Sequence, residues 1–385
     1  MAHADVVAYN IAVIVATLFI LEFGADKFID HTAIVSRRTG IPATIIALLT
    51  AGAEWEELAV VVASLAQGRA SLAIGNIVGS AISNILGAFS LGLLFHEKGK
   101  PIHFDKSSRV YSILLLILTT FVTLITYFSK RTIWLVCGII LIAFFGIYVG
   151  SIGWAISKGN LAAPEDSDDD SSDGSSDGSG SVYMTEGRSA SRDQHESLPD
   201  GPAHALSSGH THPTSDSAPA PPSHTSRRRH RTLRYHIFHL FIGFLAICLA
   251  GYILSHAAAI ITGEFGVSDV LFGIIILAII TTLPEKFIAV ISGRRGHVGI
   301  LVANTAGSNI FLLSLCLGII MVDTSGQFNG GNVKIPELAV LWGSTLGFTL
   351  TIWLGGKFSR WIGAAMLLCY AAFIVLEFTV IHSVD

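Results

Sequence analysis

Long apolar runs alternate with short polar segments along most of the chain. A helix that crosses the hydrocarbon core of a bilayer needs about 20 mostly apolar residues, and ten runs of this kind can be marked. They are approximately Val6–Leu21, Ile41–Leu65, Leu72–Phe95, Val110–Phe128, Ile133–Ala155, Tyr235–Ile261, Val267–Ile291, Val298–Val322, Ile335–Leu354 and Trp361–Ile381. The pattern predicts an all-α membrane protein with ten transmembrane helices.

One long hydrophilic segment, from about Asn160 to His230, separates five of these runs from the other five. It is rich in Asp, Ser, Gly, Pro and His, and a segment of this composition cannot bury a core, so we expect it to be disordered. Lys and Arg concentrate in the short loops on the same side of the predicted membrane, which places the segment in the cytosol. The predicted organisation is therefore a five-helix half at 1–158, a disordered cytosolic loop at 159–233 and a second five-helix half at 234–385.

The composition supports a membrane protein and argues against soluble classes. Hydrophobic residues make up 51% of the chain, charged residues only 14%, and the mean hydropathy is +0.62, whereas soluble domains contain about 25% charged residues. The net charge of -4 comes mostly from the hydrophilic segment and gives no indication of a nucleic-acid partner. The four cysteines lie in apolar runs without CxxC spacing, so neither a disulfide framework nor a zinc site is predicted.

Two stretches of the chain share polar residues and glycines at a constant offset of 228 residues, the difference between 285 and 57. The identical pairs are Glu57 and Glu285, Asn76 and Asn304, Gly79 and Gly307, and Ser80 and Ser308. With five spans in each half, the two copies enter the bilayer in opposite directions. The sequence therefore predicts an inverted-topology repeat, and the substrate sites of secondary transporters form near the midplane at the interface of such repeats.

Carboxylates inside predicted spans indicate a cation site, because each ionised group costs about 2.5 to 3.5 kcal/mol on insertion scales. Glu54 and Glu57 are three residues apart and would share a helix face, while Glu285 comes from the other half. Side-chain oxygens that could complete a site are those of Thr281, Thr282, Ser80, Ser308, Asn76, Asn84 and Asn304. Hard cations such as Ca²⁺ take six to eight oxygen ligands, so we predict a divalent cation held mainly by Glu57 and Glu285.

The same carboxylates favour an antiporter over a channel. Several carboxylates in a low dielectric cannot all stay ionised when the cation leaves, so its departure must be matched by protons or monovalent cations. Pro284, inside the seventh predicted span, frees a backbone carbonyl one turn earlier, and that oxygen could also coordinate an ion.

The two repeat stretches resemble those of the calcium/cation antiporter superfamily, of the sodium/calcium exchanger type. They read TAGAEWEELAVVVASLAQGRASLAIGNIVGSAISN and ITTLPEKFIAVISGRRGHVGILVANTAGSNIF. The family's repeat is approximately G-T-S-x-P-E, followed eighteen residues later by G-N-x-x-G-S-N, and both stretches keep that spacing. The resemblance implies ten helices, a cytosolic regulatory loop between the fifth and sixth helices, and exchange of Ca²⁺ for Na⁺ or H⁺.

The resemblance also implies residue roles. The family's paired glutamates fall on Glu57 and Glu285, and its repeat serines on Ser80 and Ser308. Its Thr-Ser pair corresponds to Thr281 and Thr282 in the second half but to Ala53 and Glu54 in the first half. Its Asn or Asp four residues after the repeat serine is Asn84 in the first half and Leu312 in the second. Because Glu54 adds a protonatable group, these departures favour protons as counter-ion or another divalent ion as cargo.

The function predicted from the sequence is secondary active antiport of Ca²⁺ against Na⁺ or H⁺ by alternating access. No enzymatic activity and no cofactor are expected. The expected partners are inorganic cations, the lipid bilayer and regulators of the cytosolic loop. Two alternatives stay open: a proton-coupled antiporter for Mn²⁺ or Mg²⁺, and a non-transporting membrane scaffold or sensor with the same fold. The sequence leaves the choice between plasma membrane and endomembrane open.

Overall fold

The structure is a computed structural model. In the part of the chain that it describes, the regular secondary structure is helical. That part comprises residues 2–39, 54–96, 102–104, 106–127, 131–157, 232–296, 298–325, 327, 332–354 and 358–381. The helices are α1 (Ala2–Thr39), α2 (Trp55–Ala66), α3 (Ala70–Leu94), α4 (Lys106–Tyr127), α5 (Arg131–Ser157), α6 (Leu233–Phe265), α7 (Asp269–Thr281), α8 (Leu283–Arg294), α9 (Val298–Thr324), α10 (Ile335–Leu354) and α11 (Ser359–Thr379).

Eight helices among the described residues are long and apolar enough to cross a bilayer, and the bent pair α7 and α8 provides a ninth span. The second predicted span, Ile41–Leu65, lies partly outside the described residues, which include only its end in α2. The predicted hydrophilic loop likewise falls almost entirely outside them. The all-helical prediction is confirmed, and nine of the ten predicted spans correspond to described helices.

The first helix extends well past its predicted end at Leu21. Helix α1 continues to Thr39, and Glu22 and Asp26 project from it as exposed side chains. A hydropathy pattern marks the end of an apolar run, and polar residues without Pro or a turn signal do not stop a helix. The helix therefore continues beyond the segment that is apolar enough to span the membrane, Ala4–Phe28.

A break between α7 and α8 bends this span by 48°. The break is at Thr282, which has φ -91° and ψ 17°, and Pro284 lies in the first turn of α8. Proline has no backbone N–H, so it cannot bond to the carbonyl of Ile280 and it favours the start of a new helix. The seventh span is thus interrupted at Thr282, between the end of α7 and the start of α8.

Helix α3 lies at the centre of the bundle, since 89% of its most apolar stretch is buried. Among the other described spans that are single helices, α9 reaches 83% and the rest 50% or less. Its glycines permit this position. A Cβ atom at Gly79 would collide with the carbonyl oxygen of Ile274 in α7, and one at Gly273 would lie 2.7 Å from the carbonyl oxygen of Leu72. Small residues allow membrane helices to approach this closely, so α3 and α7 contact each other through their backbones.

The largest apolar cluster surrounds α3 and α9 and is closed by aromatic pairs. The ring of Phe89 in α3 lies 4.7 Å from that of Phe348 in α10, in an edge-to-face arrangement. Phe311 in α9 lies 5.4 Å from Phe145 in α5. Such contacts add to the stabilisation from burial alone, and they join the central helices α3 and α9 to α10 and α5.

Three of the central helices contain π-helical turns, in which the hydrogen bonds run from residue i to residue i+5. They occupy Ser83–Phe89 in α3, Phe272–Leu277 in α7 and Leu312–Cys316 in α9. Shifting the α9 segment back by 228 residues places it inside the α3 segment. Turns of this kind are rare and often lie at functional sites.

Candidate cation site

Three carboxylates are buried where α2, α3 and the α7–α8 break meet. The exposed fractions are 5% for Glu54, 1% for Glu57 and 8% for Glu285. Each of the three interacts electrostatically with at least one of the others. A cluster of like charges at this depth is costly unless a cation or a proton compensates it.

Glu57 is held by two residues of the glycine-rich motif in α3. The side-chain amide of Asn76 donates a short hydrogen bond to Glu57 Oε2, and the Ser80 hydroxyl donates to Glu57 Oε1 at 3.0 Å. The Thr281 hydroxyl, from the other half of the chain, lies beside the same carboxylate. The spacing of nineteen residues between Glu57 and Asn76 thus brings the two motif segments of the first repeat into direct contact.

The position of Glu54 is set by a non-helical backbone conformation, because this residue lies just before α2 and not on one of its faces. It caps α2 with φ -80° and ψ 79°, one residue before the helix begins, so the predicted shared face with Glu57 is not the reason for their proximity. Asn84 Nδ2 donates to Glu54 Oε1 at 3.0 Å, and the Ser308 hydroxyl of the second repeat lies next to the same carboxylate. Residues of both halves therefore surround Glu54.

Several buried oxygens in this region have no hydrogen-bond donor among the described residues. A buried polar group without a partner costs about 1–3 kcal/mol, and most such groups in proteins are satisfied. The oxygens concerned are Glu54 Oε2, Asn76 Oδ1, Asn84 Oδ1 and Glu285 Oε2, together with Oδ1 of Asn309, which follows Ser308 in the chain. They are carboxylate and amide oxygens, the ligands that hard cations prefer.

The acidic side chains alone do not form a metal cage. Over the described residues, no three His, Cys, Asp or Glu side chains are arranged so that they could hold a metal ion by themselves. A bound divalent cation would therefore need hydroxyl and amide oxygens in addition to the carboxylates. Ser80, Ser308, Thr281 and Asn84 are the predicted residues that lie next to Glu57 or Glu54 and could supply them.

The two repeats differ in how their polar residues are used. Asn76 is fully buried against Glu57, whereas its repeat partner Asn304 is half-buried. Asn309 is fully buried instead, and neither atom of its amide group has a partner within the described part of the chain. Asn309 was not among the site residues predicted from the sequence. The signal was available, because it directly follows Ser308 and completes the G-S-N of the family motif.

Thr282 faces a lysine and not the carboxylates. The Lys286 ammonium donates to Thr282 Oγ1, and Ser83 Oγ lies 2.9 Å from the same hydroxyl. Lys286 was also missed in the sequence, although it directly follows Glu285. A lysine inside a span costs about as much to insert as a carboxylate, so its position in the seventh span was a usable signal.

The chain matches a known protein family and has relatives among known proteins. The family described as sodium/calcium exchanger protein matches residues 9–154 and 235–379. CaxA of Alkalimonas amylolytica, which carries the name of an antiporter, is 25% identical over 355 residues, or 90% of this chain and 92% of CaxA. The sodium/calcium exchanger MaX1 of Methanosarcina acetivorans is 26% identical over 148 residues, which are 37% of this chain and 40% of MaX1.

Solved structures show the same fold. The chain superimposes on native YfkE with a TM-score of 0.62 at 15% identity, over 96% of this chain and 91% of YfkE. It superimposes on the sodium-calcium exchanger NCX_Mj with a TM-score of 0.52 at 19% identity, over 96% of this chain and 98% of that one. Since the family match covers most of both helical halves, the chain is a multi-pass integral membrane protein and belongs to the sodium/calcium exchanger protein family of the calcium/cation antiporter superfamily.

Proposed function

We infer that the protein is a secondary active antiporter that moves Ca²⁺ across a membrane in exchange for Na⁺ or H⁺. The observation that carries this proposal is the set of buried carboxylate and amide oxygens that have no donor among the described residues. Such oxygens lose hydration on burial, and a hard cation is the partner that compensates them.

In this proposal Glu57 and Glu285 form the centre of the divalent site. Glu54, Asn84, Ser80, Ser308 and Thr281 lie around them and supply further oxygens. The amide groups of Asn76 and Asn84 donate from nitrogen to the carboxylates, so their oxygens are the atoms left for the ion. The Thr282 hydroxyl accepts a hydrogen bond from Lys286, and in this proposal Thr282 acts on the site by holding that lysine in place.

Ca²⁺ fits this set of ligands better than a smaller ion. It accepts six to eight oxygens in flexible geometry, whereas Mg²⁺ requires a near-ideal octahedron and usually keeps several of its waters. The oxygens of the candidate site belong to side chains of different lengths on α2, α3, α8 and α9, and such a set suits a flexible coordination shell. Mn²⁺ and Mg²⁺ are therefore the comparison ions in the experiment below.

Two inverted five-helix halves around a cytosolic loop are the proposed architecture. The corresponding π-helical turns at Ser83–Phe89 and Leu312–Cys316 support the repeat. The family match also falls into two segments, 9–154 and 235–379, on either side of the hydrophilic segment. In this arrangement the carboxylates of the two halves meet near the midplane, where alternating access opens the site to one side at a time.

The proposal is tested by ⁴⁵Ca²⁺ uptake into proteoliposomes of the purified protein under an imposed Na⁺ gradient or an imposed pH gradient. Uptake driven by either gradient supports it and identifies the counter-ion. Mn²⁺ or Mg²⁺ flux under a pH gradient without Ca²⁺ flux would instead favour the proton-coupled alternative. No flux of any of these ions under either gradient would favour a non-transporting scaffold or sensor.

A further inference from the structure

The ammonium group of Lys286 lies in a position built from oxygen atoms. It donates to Ser83 Oγ at 2.9 Å, to the Thr282 carbonyl oxygen at 3.1 Å, to the Ile279 carbonyl oxygen at 3.4 Å and to the Thr282 hydroxyl. Two hydroxyls and two backbone carbonyls are neutral oxygens. They resemble the shell of a bound monovalent cation more than a salt bridge, because none of the four carries a charge.

The backbone and side-chain packing keep this position open for the lysine. The break at Thr282 turns the carbonyl oxygens of Ile279 and Thr282 towards the ammonium group. A Cβ atom at Gly87 would lie 3.2 Å from Lys286 Cε, so the glycine leaves room for the aliphatic stem. On the far side, the Tyr370 hydroxyl of α11 donates to Ser83 Oγ at 3.0 Å and orients it.

Lys286 also belongs electrostatically to the carboxylate cluster. The charges that act on it are Glu285, Glu57 and Glu54, in order of decreasing strength. With these three buried carboxylates ionised, the cluster carries three negative charges, and the ammonium group reduces the sum to two. Glu56 also interacts electrostatically with Glu285 and Glu57, and more weakly with Asp26 and Glu22. Its side chain is only partly buried, so it is not counted with the three buried carboxylates. The sum of minus two for the three buried carboxylates and Lys286 would be balanced by one divalent cation.

We propose that the Lys286 ammonium is a tethered monovalent cation, which occupies a position that a transported counter-ion would otherwise fill. This inference rests on the function proposed above. With the position permanently filled, the site exchanges one divalent cation for two monovalent cations or protons, and the transport cycle moves no net charge. In a variant without the ammonium, the same oxygens accept a third monovalent cation, and exchange becomes dependent on voltage.

The experiment measures the coupling ratio of the whole protein in proteoliposomes, using ⁴⁵Ca²⁺ with the driving gradient, Na⁺ or pH, that supports uptake. The membrane potential is clamped with K⁺ and valinomycin, and the gradient at which net Ca²⁺ flux vanishes gives the number of charges exchanged. We expect two per Ca²⁺ in the wild type, with no effect of voltage. In Lys286→Met with a Na⁺ gradient, we expect three monovalent charges per Ca²⁺. An inside-negative membrane potential should then change the gradient at which net Ca²⁺ flux vanishes.

Two control variants and the wild-type ratio keep the outcomes distinct. Lys106→Met removes an exposed lysine at the start of α4 and should retain the wild-type ratio. Lys286→Arg preserves the charge and should also retain a ratio of two. If Lys286→Met does not fold, the coupling ratio of the wild type still tests the proposal, because the proposal excludes a ratio of three monovalent charges per Ca²⁺ in the wild type.

Three results would overturn the inference: a voltage-dependent wild type, an unchanged ratio in Lys286→Met, or a folded Lys286→Met that no longer transports under any gradient. Absence of divalent flux in the wild type is a different result, since it would overturn the proposed function itself.

Discussion

Asn84 and Glu54 are joined by a hydrogen bond of 3.0 Å from the side-chain amide to the carboxylate. The bond fixes the direction of the amide group, because the nitrogen must face Glu54 and the oxygen then points away. That oxygen has no donor among the residues whose positions are described. Under the proposed function, this single contact holds the Glu54 carboxylate in place and leaves the Asn84 amide oxygen free to bind the cation.

Replacing Asn84 by Ala should weaken Ca²⁺ binding. A hydrogen bond to a charged group contributes about 1.5–3 kcal/mol, and roughly 1.4 kcal/mol is a factor of ten in affinity. We therefore expect a loss of about tenfold or more in the apparent Ca²⁺ affinity measured by ⁴⁵Ca²⁺ uptake. Asn10→Ala, in which the lost amide donates to the Val6 carbonyl within α1, should leave the affinity unchanged. An equal loss in both variants would contradict the assignment.

Neutralising either central carboxylate should abolish most divalent exchange. Glu57→Gln and Glu285→Gln keep the size of the side chain and remove one negative charge from the proposed site. We expect transport rates at least about tenfold below the wild type, because charge neutralisation of the divalent ion is lost inside a low-dielectric region. Asp323→Asn, an exposed position at the end of α9, is the matched control. A transport rate equal to that of the wild type in Glu285→Gln would show that Glu285 is not part of the cation site.

Asn309 should show opposite effects on stability and on binding. Replacing it by Leu removes a fully buried amide group without partners in the described structure, so the ion-free protein should gain about 1 kcal/mol in unfolding free energy. The apparent Ca²⁺ affinity should fall, because one oxygen ligand is lost. Thermal unfolding in chelator and Ca²⁺ uptake measure the two effects, and Asn304→Leu, at a half-buried position, provides the comparison. A fall in stability without a change in uptake would indicate a structural role.

The close contact between α3 and α7 should make Gly79 intolerant of a side chain. The Cβ atom of Gly79→Ala would collide with the Ile274 carbonyl oxygen, and overpacking of this kind costs about 1–3 kcal/mol. A lower melting temperature in detergent is the expected result. Gly343→Ala in α10 adds the same methyl group where no atom lies within 4 Å. Equal melting temperatures for the two variants would mean that the helices separate easily.

The sequence was sufficient to predict that Glu57, Asn76 and Ser80 lie close together, and the structure joins them by hydrogen bonds. Their spacing repeats at one offset in both halves, and polar residues of two neighbouring spans have few other partners in a membrane. Pro284 likewise indicated the disrupted helix, since a missing N–H is a local property of the chain.

The position of Glu54 and the environment of Lys286 could not be predicted in the same way. Glu54 approaches Glu57 through a non-helical backbone conformation, which no periodicity indicates. The oxygens around Lys286 come from Ser83 in the first half and from the break at Thr282 in the second. Such a shell depends on how two distant segments pack, and it has no counterpart at Leu58, the corresponding position of the first repeat.

The backbone contact at Gly79 has a consequence for ion preference. Where two helices already touch main chain to main chain, their separation cannot shrink to fit a smaller ion, and widening it would cost the packing on both faces of α3. Discrimination between cations of different radius must then come from the lengths and chemistry of the side chains that line the site. Exchangers built on this framework would change their cargo by substituting individual residues, with the helix axes left in place.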